Sequence, residues 1–418
     1  NDIMNNKHVT SLRGFKDILP EDLRYYYLIE NALKNITNSY SINELRTPLL
    51  ESTSVFDKSL GSQTDIVTKE MYTFSDKNGD SVCLRPEGTS SIVRSVIENN
   101  LIYDRGIKKK KYWYYGPMFR YERPQKGRLR QFNQFGLEYF GFSGINSDIE
   151  LIILINKLFN SLSIDNYHLH INSIGNQSDR DKYGVAVKSI MSDHVSLLTD
   201  GEKATLENNP LRLLDSKNIK IKDILSSLPP LYDSLNEYSH KRFDSVTKLL
   251  DQLKITYTLD NAIVRGLDYY NDTVMEWKTD KLGSQDAICA GGRYDNLIQS
   301  NYSIDVPAVG VAVGIERLVE LLKINQNLSS ETKYAIVNDC HENMNLLIEI
   351  SESIRGMYPE YSFMNTDPES SMSSQIKYAK KVNDKLAIII NNNQIKLYNF
   401  KDNNQIDIDI SDLKKHLS

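Results

Sequence analysis

Apolar residues recur at helical spacing from about residue 20, where Tyr25, Leu28, Ile29, Leu33 and Ile36 share one face before Thr47 and Pro48 break the pattern. The helix this predicts leads into extended chain. Residues 112–119 and 131–140 are aromatic-rich and β-prone, and 122–130 between them is polar and almost free of apolar side chains. Two strands joined by a long mobile loop are expected there. Ser147 and Glu150 have capping-box spacing ahead of Leu151, Ile152, Leu154, Ile155, Leu158 and Phe159, which predicts a helix packed on the sheet.

From about 175 to 252 the pattern is mixed helical, with Pro229, Pro230, many surface charges and no recognisable catalytic cluster, and is read as an inserted, mainly helical domain. Strand-like text returns at 273–277 and 308–313. A helix follows in which Ile315, Leu318, Val319 and Leu322 form one apolar face. The main domain is therefore expected over 1–174 and 253–324. Beyond the polar stretch 325–332, residues 334–337, 386–390 and 395–400 read as strands and 343–357 and 370–382 as helices, a small α/β domain over 332–418.

The totals fit this division. At 418 residues the chain exceeds the ~250 to 300 at which one core usually stops growing. With 40% hydrophobic and 25% charged residues it has the composition of a globular protein rather than a disordered one. A net charge of -5 means that any nucleic-acid surface must be a local basic patch. Cys83, Cys289 and Cys340 are odd in number and widely spaced, which suggests neither a disulfide framework nor a zinc site and fits reduced thiols. Residues 1–6 are polar and the longest aliphatic run, 151–155, is too short to span a bilayer, so a cytoplasmic protein without a membrane segment is expected.

The clearest polyanion patch is 105–130, with ten cationic residues against one acid, Glu122. Guanidinium forks suit phosphate oxygens, and Arg120 at a strand end is placed to contact a reacting phosphate; a solvated cationic hairpin is the alternative. In the run from Arg85 to Thr89 an acid and a hydroxyl flank Gly88, so that Glu87 either receives a ligand ammonium or caps the helix expected around 90–99. Arg265, Asp268, Tyr269 and Tyr270 stand before a strand, and alternation would send the two tyrosines to opposite sides; an Arg265–Asp268 pair with one ring in the core is the structural alternative. Gly291, Gly292, Gly310 and Gly314 permit close backbone approach by a nucleotide, without either a P-loop or a dinucleotide fingerprint, and Arg317 follows them near Glu316 and Glu320. His168 and His170 alternate on a strand but lack a third ligand, so no protein-held metal is expected.

Taken together these pieces resemble the class II aminoacyl-tRNA synthetases, and among them the histidyl-tRNA synthetases, over nearly the whole chain. RGFKDILPED at 13–22 looks like the family's opening, RTPLLES at 46–52 is similar to motif 1, which forms the dimer interface in the family, 116–138 resembles motif 2 with its loop, and VGVAVGIERL at 309–318 looks like motif 3. RGLDYYNDTVMEW at 265–277 and GGRYDNL at 291–297 resemble two segments peculiar to the histidine-specific enzymes. The resemblance implies an α+β catalytic domain on a mixed, mainly antiparallel sheet with flanking helices and a helical insertion, followed by an α/β anticodon-binding domain. It also implies a homodimer that uses ATP with Mg2+, L-histidine and tRNA(His).

By the same resemblance Arg120, Arg265 and Arg317 are catalytic, with Arg120, Arg128 and Arg317 on ATP. Glu87, Thr89 and Gln134 would hold the histidine ammonium, and Glu138, Tyr269 and Tyr270 the imidazole. Arg123, Lys126 and Arg130 would guide the acceptor end of the transfer RNA. Asn133 departs from the histidine expected in many relatives but leaves its neighbour Gln134 in place. Two non-ligase readings compete: a regulatory subunit of histidine biosynthesis, which resembles the catalytic core alone, and an uncharged-tRNA sensor attached to a kinase. The terminal α/β pattern and the three arginines oppose the first, and the lack of HRD or DFG text opposes the second.

Overall fold

The computed structural model describes residues 9–61, 64–102, 109–125, 127–216, 218–264, 269–283, 286–326, 332–339, 344–391 and 394–417. The chain forms two compact units, 1–328 and 329–418. In the first, the helices are α1 (Pro20–Ser39), α2 (Thr53–Leu60), α3 (Thr89–Glu98), α4 (Ile145–Ser161), α5 (Gln177–Ser192), α6 (Asp200–Asn208), α7 (Ile219–Leu225), α8 (Glu237–Gln252), α9 (Asp295–Tyr302) and α10 (Ile315–Asn325). The strands are β1 (Asn43–Glu44), β2 (Leu50–Ser52), β3 (Tyr72–Ser75), β4 (Ser81–Leu84), β5 (Lys110–Phe119), β6 (Gln131–Phe140), β7 (His168–Ser173), β8 (Thr258–Leu259), β9 (Asn271–Lys278), β10 (Ala287–Arg293) and β11 (Ala308–Gly314).

Eight strands make one sheet in the order β1-β5-β6-β11-β10-β9-β7-β8, and β2-β4-β3 make a small second sheet. Only the outer pairs β1·β5 and β7·β8 of the large sheet are parallel. Its longest pair is β5 and β6, antiparallel from Lys110↔Phe140 to Phe119↔Gln131, where aromatic side chains suit a pleated, largely buried surface.

Strand alternation then divides the chemistry. Trp113, Phe135, Leu137, Tyr139, Val309, Val311 and Val313 face a helical layer of α1, α4, α8 and α10, packing on Ile29, Leu33, Ile152, Ile155, Phe243 and Leu318. Tyr114, Gln134 and Glu138, two or four residues apart in register, take the opposite face. Helices α5 to α8 occupy residues 177–252 within this unit, and Tyr183, Val187, Met191 and Leu211 share an apolar cluster with Tyr114, Tyr269 and Tyr270.

Helix α4 begins earlier than its capping-box spacing suggests. Gly144 is its N-cap, and the Ser147 hydroxyl donates to the Gly144 carbonyl at 2.8 Å rather than capping. Glu150 is drawn away by the Lys111 ammonium and the Tyr139 hydroxyl, so an ion pair and a buried hydroxyl outbid the box.

The second unit is an α/β layer: β12 (Lys333–Asn338), α11 (Met344–Met357), β13 (Ser362–Asn365), α12 (Met372–Val382), β14 (Leu386–Asn391), β15 (Gln394–Asn399) and β16 (Asn404–Ile408), with sheet order β13-β12-β14-β15-β16. Apolar clusters on either side of that sheet use Leu347 and Ile354 of α11 and Ala379 of α12. Among the described residues no helix is long and apolar enough to cross a membrane.

Candidate active site

A cleft with about 1090 Å³ of empty space, counting its open mouth, lies on the sheet face opposite the helical layer. Glu87, Thr89, Arg120, Arg128, Gln134, Tyr269, Tyr270 and Arg317 all line it, drawn from five separate stretches of sequence. Glu138 lies just beneath, bonded to Thr89 and Tyr294. Arg123 is exposed outside the cleft, and Arg130 is held at the loop base, stacked 3.7 Å above the Tyr121 ring and donating to the Glu122 carbonyl at 3.1 Å. Arg265 and Lys126 lie outside the described residues.

One end of the cleft is cationic. Arg120, just past β5, donates through Nε to the Pro86 carbonyl at 2.8 Å and lies 5.4 Å from the Phe132 ring centre. Arg317, in the first turn of α10, donates to the Ala287 carbonyl, and Arg128 pairs with the Glu122 carboxylate. Burial holds the Arg317 guanidinium below its ordinary value, and the nearby Arg128 and Arg120 push the same way against Glu122 and Glu276. A guanidinium stays protonated through such a shift. Three positive groups kept together against repulsion, at a helix N-terminus whose dipole has the same sign, form a site that a polyanion would relieve.

The other end is built around a carboxyl. Glu138 is 1% exposed; the Thr89 hydroxyl donates to its Oε1 at 2.6 Å and the Tyr294 hydroxyl donates to its Oε2. Burial pushes its carboxyl up to about 8, against the two hydroxyl donors, with the Glu87 charge adding to the rise. The sheet makes room for it: Glu138 pairs with Gly310, which pairs with Gly292, and a Cβ at Gly310 would collide with the Glu138 carboxylate. Above lie Tyr269 and Tyr270, ring centres 4.5 Å apart, with Tyr294 edge-on to Tyr269 at 5.6 Å.

The two tyrosines do not point to opposite sides as strand alternation would require. They precede β9, which starts at Asn271, so alternation does not apply to them and both reach the cleft. Two residues past Tyr270, Asp272 adopts φ 46°, and the register slips from Gly292↔Val274 to Arg293↔Asn271, a bulge that re-aims the chain beside the site.

Glu87 does cap: its two oxygens accept from the Thr89 and Ser90 N–H groups at 2.6 and 2.8 Å, which fixes the carboxylate at the start of α3 while it lines the cleft. Gln134 Oε1 is buried without a hydrogen-bond partner among the described residues, an acceptor facing the cleft. Its neighbour Asn133 turns away, with its N–H and Nδ2 held by Glu316 at 2.9 to 3.0 Å.

Sequence reasoning gave no role to Tyr114, Phe132, Glu276 and Tyr294, which also line the cleft. For Tyr114 a signal was available, since counting back in twos from Arg120 along β5 places it on the same face. Among the described residues no group of three or more His, Cys, Asp and Glu side chains is placed to hold a metal ion.

The model of the histidyl-tRNA synthetase family matches residues 14–177 and 187–318. A histidine–tRNA ligase of Buchnera aphidicola subsp. Schizaphis graminum is 44% identical over 94% of this chain and 92% of its own, and one of Blochmanniella floridana is 43% identical over 92% and 89%. The crystal structure of apo S. aureus histidyl-tRNA synthetase superposes with a TM-score of 0.78 at 30% identity, covering 98% of this chain and 99% of that one. A Bacillus halodurans chain described as an ATP phosphoribosyltransferase regulatory subunit/histidyl-tRNA synthetase, at 21% identity and a TM-score of 0.61 over 86% of this chain and 92% of that one, shares the fold. The chain belongs to the histidyl-tRNA synthetase family.

Proposed function

We propose that this cleft holds histidine and ATP side by side, as a histidine–tRNA ligase requires. The enzyme activates L-histidine with ATP to histidyl-adenylate and pyrophosphate, then transfers histidine to the 3'-terminal adenosine of tRNA(His). The observation that carries this reading is the pairing, in one cleft, of three guanidiniums at one end with a buried carboxyl flanked by hydroxyls at the other.

The amino acid's own carboxylate attacks the α-phosphate, so activation needs no general base; it needs alignment and neutralised charge at phosphorus. Arg120 takes the α-phosphate, Arg128 and Arg317 the far phosphates, and Arg265 bridges the substrate carboxylate and the α-phosphate. A Mg2+ ion bound with ATP would neutralise phosphate charge, and Glu122 and Glu276, which line that end of the cleft, would be the oxygen donors available to it. Glu87, Thr89 and the unpartnered Gln134 oxygen receive the ammonium. Glu138, Tyr269 and Tyr270 read the imidazole. The adenosine hydroxyl of the transfer RNA then attacks the adenylate carbonyl and AMP leaves, with Arg123, Lys126 and Arg130 guiding the acceptor end.

Residues 332–418 serve as the anticodon-binding domain. Their ten Lys and Arg against twelve Asp and Glu make charge-driven binding weak, so recognition there rests on specific contacts. The protein works as a cytoplasmic homodimer, for which Leu49, Leu50 and Phe74, all exposed on or beside the small β2-β4-β3 sheet, supply apolar surface. Histidine-dependent exchange of pyrophosphate into ATP tests the whole reading; a folded protein that shows none is not this ligase.

Removal of residues 332–418, nearly all of the compact unit 329–418, should leave that exchange readily detectable while aminoacylation of tRNA(His) falls sharply. Parallel assays on a folded, dimeric truncation decide it. Equal loss of both activities would contradict the division of labour.

A further inference from the structure

Tyr294 reaches the cleft, whereas the side chain before it, Arg293, goes to the opposite face of the sheet and is fully buried. Its guanidinium donates to Asp148 Oδ2 at 2.6 Å and to Ser147 Oγ at 3.4 Å in the first turn of α4, to both Asp295 oxygens at 3.2 and 3.1 Å, and to the Phe142 carbonyl. Asp148 also receives Arg242 of α8 at 3.2 Å. Asp295 in turn accepts from the Ala308 N–H of β11 at 2.9 Å and from Asn271 Nδ2 at 3.2 Å, while its own N–H donates to Asn271 Oδ1 at 2.7 Å. Four elements thus converge on the point where β10 becomes α9.

Buried ion networks of this kind add little net stability over apolar packing, which directs attention to what they hold in place. The residue at that junction is Tyr294, and its hydroxyl donates to Glu138. We propose that Arg293 is a positioning residue for histidine recognition: anchored behind the sheet, it sets the height and angle from which Tyr294 orients the Glu138 carboxyl. The proposal rests on the reading of Glu138 as part of the histidine pocket. Among the described residues no member of the network bonds to Arg120, Arg128 or Arg317, so the network sits apart from the ATP end.

The test is Arg293→Lys, which keeps a buried cation but loses the planar fork. In pyrophosphate exchange its KM for histidine should rise about tenfold or more, because small misplacements of a reading group cost on the order of 10- to 100-fold, while KM for ATP stays within about twofold. In a Tyr294→Phe background the same substitution should add little, since coupled residues are not additive. Should Arg293→Lys fail to fold, Asp295→Asn, which loosens the same anchor from its more exposed side, takes its place in the cycle with the same expectation. Equal rises in both KM values, or additivity with Tyr294→Phe, would overturn the positioning role even with the pocket intact. If Tyr294→Phe and Glu138→Gln alone leave histidine use unchanged, the pocket assignment fails first and the proposal falls with it.

Discussion

Arg317→Ala should fold normally and lose roughly 10²- to 10³-fold in the rate of adenylate formation, the scale seen when one preorganised stabilising charge is removed from a reacting centre. That loss corresponds to about 3 to 4 kcal/mol of transition-state stabilisation. Stability should hold, for two reasons visible in the structure. The helix that carries Arg317 is pinned by Ile315, Leu318, Val319, Leu321 and Leu322, all buried. The guanidinium itself is desolvated and repelled by Arg128 and Arg120, so its removal relieves strain at that end of the cleft. The cleft therefore retains a charge arrangement that costs folding energy and serves the polyanion. Single-turnover formation of histidyl-adenylate at saturating histidine and ATP is the measurement, with the thermal midpoint of the variant followed in parallel. A well-folded Arg317→Ala protein that activates histidine within a few-fold of wild type would remove Arg317 from the chemistry.

Much of the frame was legible because burial leaves a period in the sequence. α1 and α10 show apolar positions three and four apart because one stripe of each meets the sheet, and β5 and β6 read as aromatic-rich runs because both of their faces pack in apolar clusters. Elements without a buried stripe were not legible. β16 is an edge strand whose residues are mostly exposed, and β13 is four residues long, so neither carries enough alternation to stand out. The same limit explains the start of α4, where side-chain partners from β5 and β6 override a local cap.

The site was legible in a different way. Arg120 stood out as part of a cationic run and Arg317 as a cation after a glycine-flanked strand, whereas Gln134 and Glu138 were named only through the family resemblance. What the sequence left open was the geometry between segments. Tyr269 and Tyr270 escape alternation because the strand starts one residue later, and Glu87 turns out to be both a helix cap and a wall of the cleft. Capping and ligand binding are compatible here, since the two N–H donors fix the carboxylate before any ligand arrives. Arg293 shows the opposite case, a charge in a chemistry-rich segment whose side chain faces away from the cleft.

Glu138→Gln should lower kcat/KM for histidine by about 10²-fold or more while leaving the apparent affinity for ATP nearly unchanged. Glutamine has nearly the same shape, so the Thr89 and Tyr294 hydroxyls keep a neighbour, but the amide carries no charge and brings two donors of its own into a buried space. A site built around a polar group of its substrate discriminates by up to about 10⁴ to 10⁵, and one unpaired buried donor costs roughly 1 to 3 kcal/mol. The pH profile supplies a second readout with a definite sign. In the empty protein the Glu138 carboxyl, pushed up to about 8, keeps its proton at neutral pH. To accept the imidazole N–H it must be ionised, so kcat/KM for histidine should climb as pH rises toward 8 and level off above it. Free histidine loses its ring proton near pH 6.5, well below that range, so the substrate's own titration does not produce the rise. In Glu138→Gln the climb between about 7 and 8 should vanish. If the variant keeps the wild-type profile, or if ATP affinity falls as far as histidine use, the imidazole is read by other residues and Glu138 is only a buried prop between Thr89 and Tyr294.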